Sequence, residues 1–421
     1  MKALAGALVA AWLATAAAAQ VPYGPVEAPT PGASLCPDGI CQAEALTGVF
    51  EALAATEAGR RVAPVHIVQI GDSHTAGDRI TGKLRAALQA RFGDAGRGVL
   101  PPGVPYDGYS PMQVEVTASG WTSTLAPLSG HAGYERAGVG LTGVQSITVA
   151  PGAELRLRLD AGPETLVYGV SVCGEGEGRL WMRADDEVWS ERFFNEHGRE
   201  RSCDYMLING RPQEIVLRPL DDVLKLHDIR LGLAGPGVTV SNLGVVGSTL
   251  RDLAARDQAV VALQLANWRP TLIVLAYGTN EGFDDGLDGR DYEALLRGQI
   301  TRLRRLAPGA SLMILGAPDA LRNGVVDGCS ADRSRAPPPS LAVVRDVQRR
   351  VAADMGVAFW DWHGRMGGDC SADRLATMGE PLMRGDRVHF SSTGADWIGG
   401  VLSADLMTAY DAWRAAREGT E

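Results

Sequence analysis

The stretch Val65-His66-Ile67-Val68-Gln69-Ile70-Gly71-Asp72-Ser73-His74-Thr75-Ala76-Gly77-Asp78 decides how this chain is read. Its first six residues form a mostly apolar run of strand length, and Gly71-Asp72-Ser73 reads as a tight turn. Beyond Asp78, apolar residues recur at helical spacing at Ile80, Leu84, Ala87, Leu88 and Phe92. This succession puts Ser73 at a helix N-terminus, where unpaired N–H groups and the helix dipole favour developing negative charge. Gly71 is expected to permit the backbone twist at the turn. In a chain with 52 glycines the tripeptide alone carries little weight. The remaining sequence has to supply what a reactive serine needs.

Outward from this stretch, the chain changes character twice. Residues 20–60 read as an arm rich in Pro, Gly and Ala followed by a helix over Ala43–Gly59, and Gly93–Pro111 reads as loop. From 113 to 235 short runs alternate with period two, as in Leu155-Arg156-Leu157-Arg158-Leu159, and are separated by glycine-rich or charged turns. That is the pattern of an antiparallel sandwich or jelly roll. Trp121, Trp181, Trp189, Phe193 and Phe194 lie within it; they either fill the sandwich core or offer rings for sugars to stack on. From 236 to 421 strands and helices alternate again: a strand over Val238–Val246, a helix over Leu253–Trp268, and the buried run Thr271–Ala276 leading into Tyr277-Gly278-Thr279-Asn280-Glu281. Further helices are expected at Tyr292–Leu306, Leu341–Met355 and Ser392–Arg417, with strands at Leu312–Leu315 and Val357–Trp360. Loops are expected from Asp319 to Ser340 and from His363 to Asp386. Residues 61–112 and 236–421 therefore form one α/β unit around a parallel sheet, interrupted by the all-β insertion at 113–235.

With 421 residues, 45% of them hydrophobic, the chain can bury a large core. Its formal charge of −10 argues against nucleic acid or an anionic membrane as the main partner. Residues 1–19 read as a secretory leader, with Lys2, an apolar stretch from Ala3 to Leu13 and Ala17-Ala18-Ala19 before a cut ahead of Gln20. An uncleaved anchor is disfavoured by the shortness of the segment, and no later stretch is long enough to span a bilayer. The mature chain is thus expected in the periplasm or outside the cell, without membrane insertion. Export suits disulfides, and Cys36, Cys41, Cys173, Cys203, Cys329 and Cys370 allow fifteen pairings. Neighbour pairing (Cys36–Cys41, Cys173–Cys203, Cys329–Cys370) keeps each bond within one expected region. Neither C-x-x-C nor H-E-x-x-H occurs, so no metal and no cofactor is expected.

In open parallel sheets functional residues gather beyond the carboxyl ends of the strands. Three such ends carry polar turns, at Gly71-Asp72-Ser73, Gly247-Ser248 and Gly278-Thr279-Asn280, and Gly385-Asp386-Arg387-Val388-His389-Phe390 precedes the last helix. Ser73 can attack an acyl carbonyl, His389 can take its proton, and Asp386 can orient the imidazole from the same loop. The N–H groups of Ser73 and Gly247 and the Asn280 amide can meet the oxyanion. Without a histidine in the right context, Ser73 would be an ordinary N-cap serine. His363 is the rival base, but no aspartate stands three residues before it. His74 is read as a packing or hydrogen-bonding neighbour.

The four blocks, Gly-Asp-Ser at 71–73, Gly247, Gly-Thr-Asn at 278–280 and Asp-Arg-Val-His at 386–389, occur in the order found in the SGNH or GDSL-type hydrolases, which the chain resembles. His74 replaces the leucine that the wider family carries after Gly-Asp-Ser. The fuller wording Ile-Gly-Asp-Ser-His-Thr-Ala-Gly-Asp, with Asn-Leu-Gly-Val-Val-Gly and Tyr-Gly-Thr-Asn-Glu, is similar to the bacterial peptidoglycan O-acetylesterase branch. The resemblance implies a three-layer α/β/α SGNH-hydrolase-like fold split by a carbohydrate-module-like β insertion. It also implies Ser73 as nucleophile, Asp386 and His389 as orienter and base, and Ser73, Gly247 and Asn280 as oxyanion donors. The expected partner is an O-acetylated polysaccharide, with peptidoglycan favoured and acetylated xylan or another glycan as alternatives. Acetyl transfer to a sugar, or glycan binding without catalysis, are the other functions this sequence accommodates. It does not fix the oligomeric state.

Overall fold

A computed structural model describes residues 28–125, 138–162, 164–165, 167–175, 179–187, 189–193, 201–220 and 224–419. The expected leader at 1–19 and Phe194 lie outside them. Pro31–Glu421 forms one compact unit.

Its centre is a sheet of five parallel strands, β1 (Val65–Gly71), β2 (Val238–Gly244), β3 (Leu272–Ala276), β4 (Ser311–Leu315) and β5 (Ala358–Trp360). The spatial order is β5-β4-β3-β1-β2, and Ile40–Cys41 adds a short antiparallel edge beside β5. β1 is buried along its whole length because helices cover both faces of the sheet. Val65 and Ile67 pack toward α1 (Thr47–Glu57), α2 (Arg79–Phe92) and the terminal α6 (Ser392–Glu418). Val68 and Ile70 pack toward α3 (Gln258–Trp268), α4 (Gly289–Leu306) and α5 (Pro339–Met355). The period of two along β1 thus feeds two separate cores. Each such aliphatic side chain contributes about 1.5–3 kcal/mol on burial.

Between β1 and β2 the chain builds two antiparallel sheets. One has the order 190–193, 179–184, 214–219, 154–159, 114–119. The other runs 201–209, 167–175, 225–233, 144–148, 121–125. Leu155, Leu157, Met182 and Leu217 of the first share a core with Tyr168, Val172, Ile229 and Leu231 of the second. Alternate residues point outward, which is the source of the Leu-Arg-Leu-Arg-Leu pattern at 155–159. Trp181, at 39% exposure, stands outside this core beside Trp189, with ring centroids 6.0 Å apart; neither ring fills the sandwich. The sheets are anchored to α3: Asp228 accepts from Gln264 and from the Trp268 ring N–H, and Leu141 N–H donates to Gln264.

Several element boundaries differ from the sequence expectation. The expected helix at Leu253–Trp268 is two helices, Leu250–Ala254 and α3, because Asp257 caps α3 through the N–H groups of Ala259 and Val260 and also accepts from Gly138. The expected loop at 93–111 contains the strand Gly98–Leu100, which pairs with Ile229–Leu231. The loop at 319–340 holds the short pairing of Arg322–Asn323 with Arg335–Ala336. Two helices, Trp362–Met366 and Ser371–Thr377, occupy the segment expected as loop after 363. The cysteines are bonded 36–41, 173–203 and 329–370. Cys173 and Cys203 sit directly opposite one another on paired strands.

Candidate active site

At the carboxyl edge of the sheet, Gly71 lies between Gly244 of β2 and Ala276 of β3. A Cβ on Gly71 would stand 2.3 Å from Thr75 Oγ1 and 2.5 Å from the Ala276 carbonyl, so glycine is required here by close approach. Its φ is not positive, and the twist expected at this residue is not the reason. The turn delivers Ser73 as the first residue of the short helix Ser73–Ala76, where Asp72 caps by accepting the His74 N–H.

The second half of the site is the loop before α6. Asp386 Oδ1 accepts the backbone N–H groups of Val388 and His389, both at 2.9 Å, while Oδ2 meets His389 Nδ1 at 2.9 Å. One carboxylate therefore folds the loop and orients the ring, which is what the Asp-x-x-His spacing provides. Burial works to raise the Asp386 carboxyl, but the hydrogen bonds from the His389 N–H, its ring and the Val388 N–H outweigh it and hold the group below the ordinary aspartate range. His389 Nε2 lies 2.9 Å from Ser73 Oγ. An imidazole donating from Nδ1 to Asp386 presents Nε2 as acceptor for the serine proton.

His74 lies behind the base. Its Nε2 donates to the Val388 carbonyl at 2.9 Å, its Nδ1 is 3.3 Å from Asp72 Oδ1, and its ring stacks on His389 at 5.5 Å. Burial opposes charge on His74, yet the hydrogen bond and charge of Asp72, aided by the Val388 carbonyl, raise its pKa. Gly247 has φ +75 in a turn closed by Ser248 N–H to Val245 O, a conformation that selects glycine. The side-chain amide of Asn280 donates to Ser248 O at 2.9 Å and so ties the two expected oxyanion turns together.

Two partners of the site were not singled out in the sequence as site residues. Glu281, directly after Asn280, accepts the Leu250 N–H and fixes the helix following the Gly247 turn; burial pushes its carboxyl up to about 7. Asp78 is buried against Arg85 and Arg97, at 2.8 and 2.7 Å, and accepts the Met112 N–H. It thereby anchors the segment whose residues Tyr106 and Met112 border a cleft of about 650 Å³ over Ser73 and His389. His363 is elsewhere, 2.9 Å from Asp369 and grouped with buried Asp319. Arg345 pairs with Asp369 there, so this cluster already holds a cation of its own.

Residues 227–397 match the GDSL-like lipase/acylhydrolase family. The chain carries a GDSL-type (SGNH) hydrolase domain. The matched region contains the Gly247, Gly278-Thr279-Asn280 and Asp386–His389 blocks, whereas Gly71-Asp72-Ser73 precedes it and joins them only in the folded hydrolase. The solved structure described as "Peptidoglycan O-acetylesterase in action, 5 min" is similar over 88% of this chain and 97% of its own, with 26% identity and a TM-score of 0.72. A family two carbohydrate esterase from Clostridium thermocellum in complex with cellohexaose covers 62% of this chain and 93% of its own, at 11% identity and a TM-score of 0.29. The C-terminal CBM6 of the marine laminarinase LamC from Zobellia galactanivorans covers 32% of this chain and 98% of its own, at 12% identity and a TM-score of 0.22. No curated protein sequence matches the chain.

Proposed function

We propose that this hydrolase is an exported esterase that removes O-acetyl groups from a cell-wall polysaccharide, peptidoglycan first among them. The observation that carries the reading is the unbroken chain of 2.9 Å contacts from Ser73 Oγ through His389 to Asp386, at the carboxyl edge of the parallel sheet. The overall likeness to a peptidoglycan O-acetylesterase supports the choice of substrate. Three disulfides and an apolar N-terminus are consistent with export, and residues 113–235 serve as an inserted module.

Ser73 Oγ attacks the acetyl carbonyl as its proton passes to His389 Nε2. The tetrahedral oxyanion is met by the N–H groups of Ser73 and Gly247 and by the Asn280 amide, which keeps a second N–H beside the one given to Ser248. Collapse breaks the bond to the sugar oxygen, which takes the proton back from His389, and acetyl-Ser73 remains. Water, deprotonated by the same imidazole, releases acetate and restores the serine. The test is acetate release by purified mature protein from acetylated peptidoglycan and acetylated xylan in parallel. Ser73→Ala is expected to lower release by at least about 1000-fold while leaving the circular dichroism spectrum unchanged. Retained release would refute the role of Ser73, and acetylated sugar formed in place of free acetate would reassign the reaction to transfer.

A further inference from the structure

Asp386 and His389 sit on a surface loop, with side chains 45% and 37% exposed. His74 holds this loop at the Val388 carbonyl, and a second hold reaches it through Arg387, which does not line the cleft. Arg387 adopts φ +58, the left-handed region that glycine enters at less cost, although Gly385 stands two residues away. An L-residue persists in that region where its surroundings over-determine it. The Arg387 N–H donates to the Arg384 carbonyl, and its own carbonyl accepts from Leu321, both at 3.0 Å. Its guanidinium donates to the Gly385 carbonyl at 2.7 Å and to Asp373 Oδ1 at 3.0 Å. One side chain thus closes the loop on itself and ties it to the helix Ser371–Thr377.

Asp373 is itself a fixed point. Its Oδ2 accepts the Ala331 N–H at 2.9 Å, and the first turn of its helix is held by buried Asp319, which accepts the Ala372 N–H at 2.9 Å. Asp319 follows β4, and the Cys329–Cys370 disulfide joins the segment before Ala331 to the residue before the helix. A line of contacts therefore runs from the parallel sheet through Asp319, Asp373 and Arg387 to the loop that carries the base. We propose that Arg387 and Asp373 are positioning residues for His389, fixing the Asp386–His389 loop against Ser73 without touching substrate. The proposal rests on the esterase reading above and adds to its site a support behind the triad. With side chains 21% and 7% exposed, the Arg387–Asp373 pair is shielded enough to keep the strength that exposed pairs lose. Arginine suits the role because its fork serves Gly385 and Asp373 together, whereas a lysine has a single nitrogen.

The deciding variant is Arg387→Gly, which relieves the left-handed backbone and removes the anchor, so that stability and activity part company. With 4-nitrophenyl acetate, kcat is expected to fall about 10- to 50-fold and KM to change less than about twofold. The thermal midpoint should stay within about 3 °C of the parent. Arg387→Lys should recover part of kcat. Asp373→Asn should lower kcat in the same way, and the double variant Arg387→Gly/Asp373→Asn no further than the weaker of the two singles, because both break one contact. An unchanged kcat in Arg387→Gly, a loss of kcat matched by a midpoint lowered by more than about 10 °C, or single effects that multiply in the double variant would each overturn the positioning role and leave the esterase reading intact. No hydrolysis by the parent, or equal hydrolysis by Ser73→Ala, would overturn the esterase reading and this proposal with it.

Discussion

His74 shows how one side chain can act through another. It bonds Asp72 on one side and the Val388 carbonyl on the other, so the helix bearing Ser73 and the loop bearing His389 are joined by a single buried imidazole. A leucine of similar size fills the space but donates nothing to Val388. His74→Leu is therefore expected to lower kcat by about 10- to 100-fold with KM changed less than about twofold, since a displacement near 1 Å costs that much at a reacting centre. His74→Gln, whose amide can still reach the Val388 carbonyl, should recover most of the loss in the same steady-state assay; an unchanged kcat in His74→Leu would remove the positioning role. That His74 would be a hydrogen-bonding neighbour could be read from its place beside Ser73. Its main partner could not, because Val388 lies 314 residues away and only the fold brings the two together.

At the level of elements, the strand ends were legible because each buried run stops at a polar turn: β1 at Gly71-Asp72-Ser73, β3 before Gly278-Thr279-Asn280. The break before α3 was not, since it depends on Asp257 capping the helix while also holding Gly138 of a distant segment. Asp78 stands at the N-cap position of α2, yet its carboxylate makes no capping hydrogen bond. Instead it pairs with Arg85 of α2 and with Arg97 of the segment that walls the cleft, both buried. Burial alone would raise this carboxyl, and the two guanidinium groups outweigh it and lower it. Removing the charge leaves two arginines uncompensated in the interior. Asp78→Asn should cost about 3–5 kcal/mol in urea unfolding, read as a shift of the midpoint at constant slope. A loss below about 1 kcal/mol would show that the cluster contributes little to holding that wall.

For the molecule as a whole, stability should depend on pH through Glu281, buried where the Gly247 and Asn280 turns meet. Its folded pKa of about 7 stands above the ordinary 4.5, so the folded state holds the proton more tightly than the unfolded chain. Its contribution is fully present below pH 4.5 and is lost as pH rises through 7, by on the order of 3 kcal/mol. Asp228, pushed up to about 6 by burial, adds a loss of the same sign at lower pH. Glu281→Gln, which can still accept the Leu250 N–H, should flatten the fall in guanidinium unfolding free energy between pH 5 and 8; an identical slope in variant and parent would discount the buried carboxyl. The two-sheet insertion and the α/β frame were legible from their periods, two in one region and alternating in the other. Which strands lie side by side was not, because β1 has β2 and β3 as neighbours and both come after the insertion. That order has a consequence in time. At 5–20 residues per second, the roughly 200 residues between Gly71 and β3 take ~10–40 s to synthesise. Until β2 is made, the strand leading to Ser73, apolar toward both faces, has neither neighbour to pair with, and from then until β3 is made it has only one, so the newly made chain carries a fully buried strand bare or half-paired throughout.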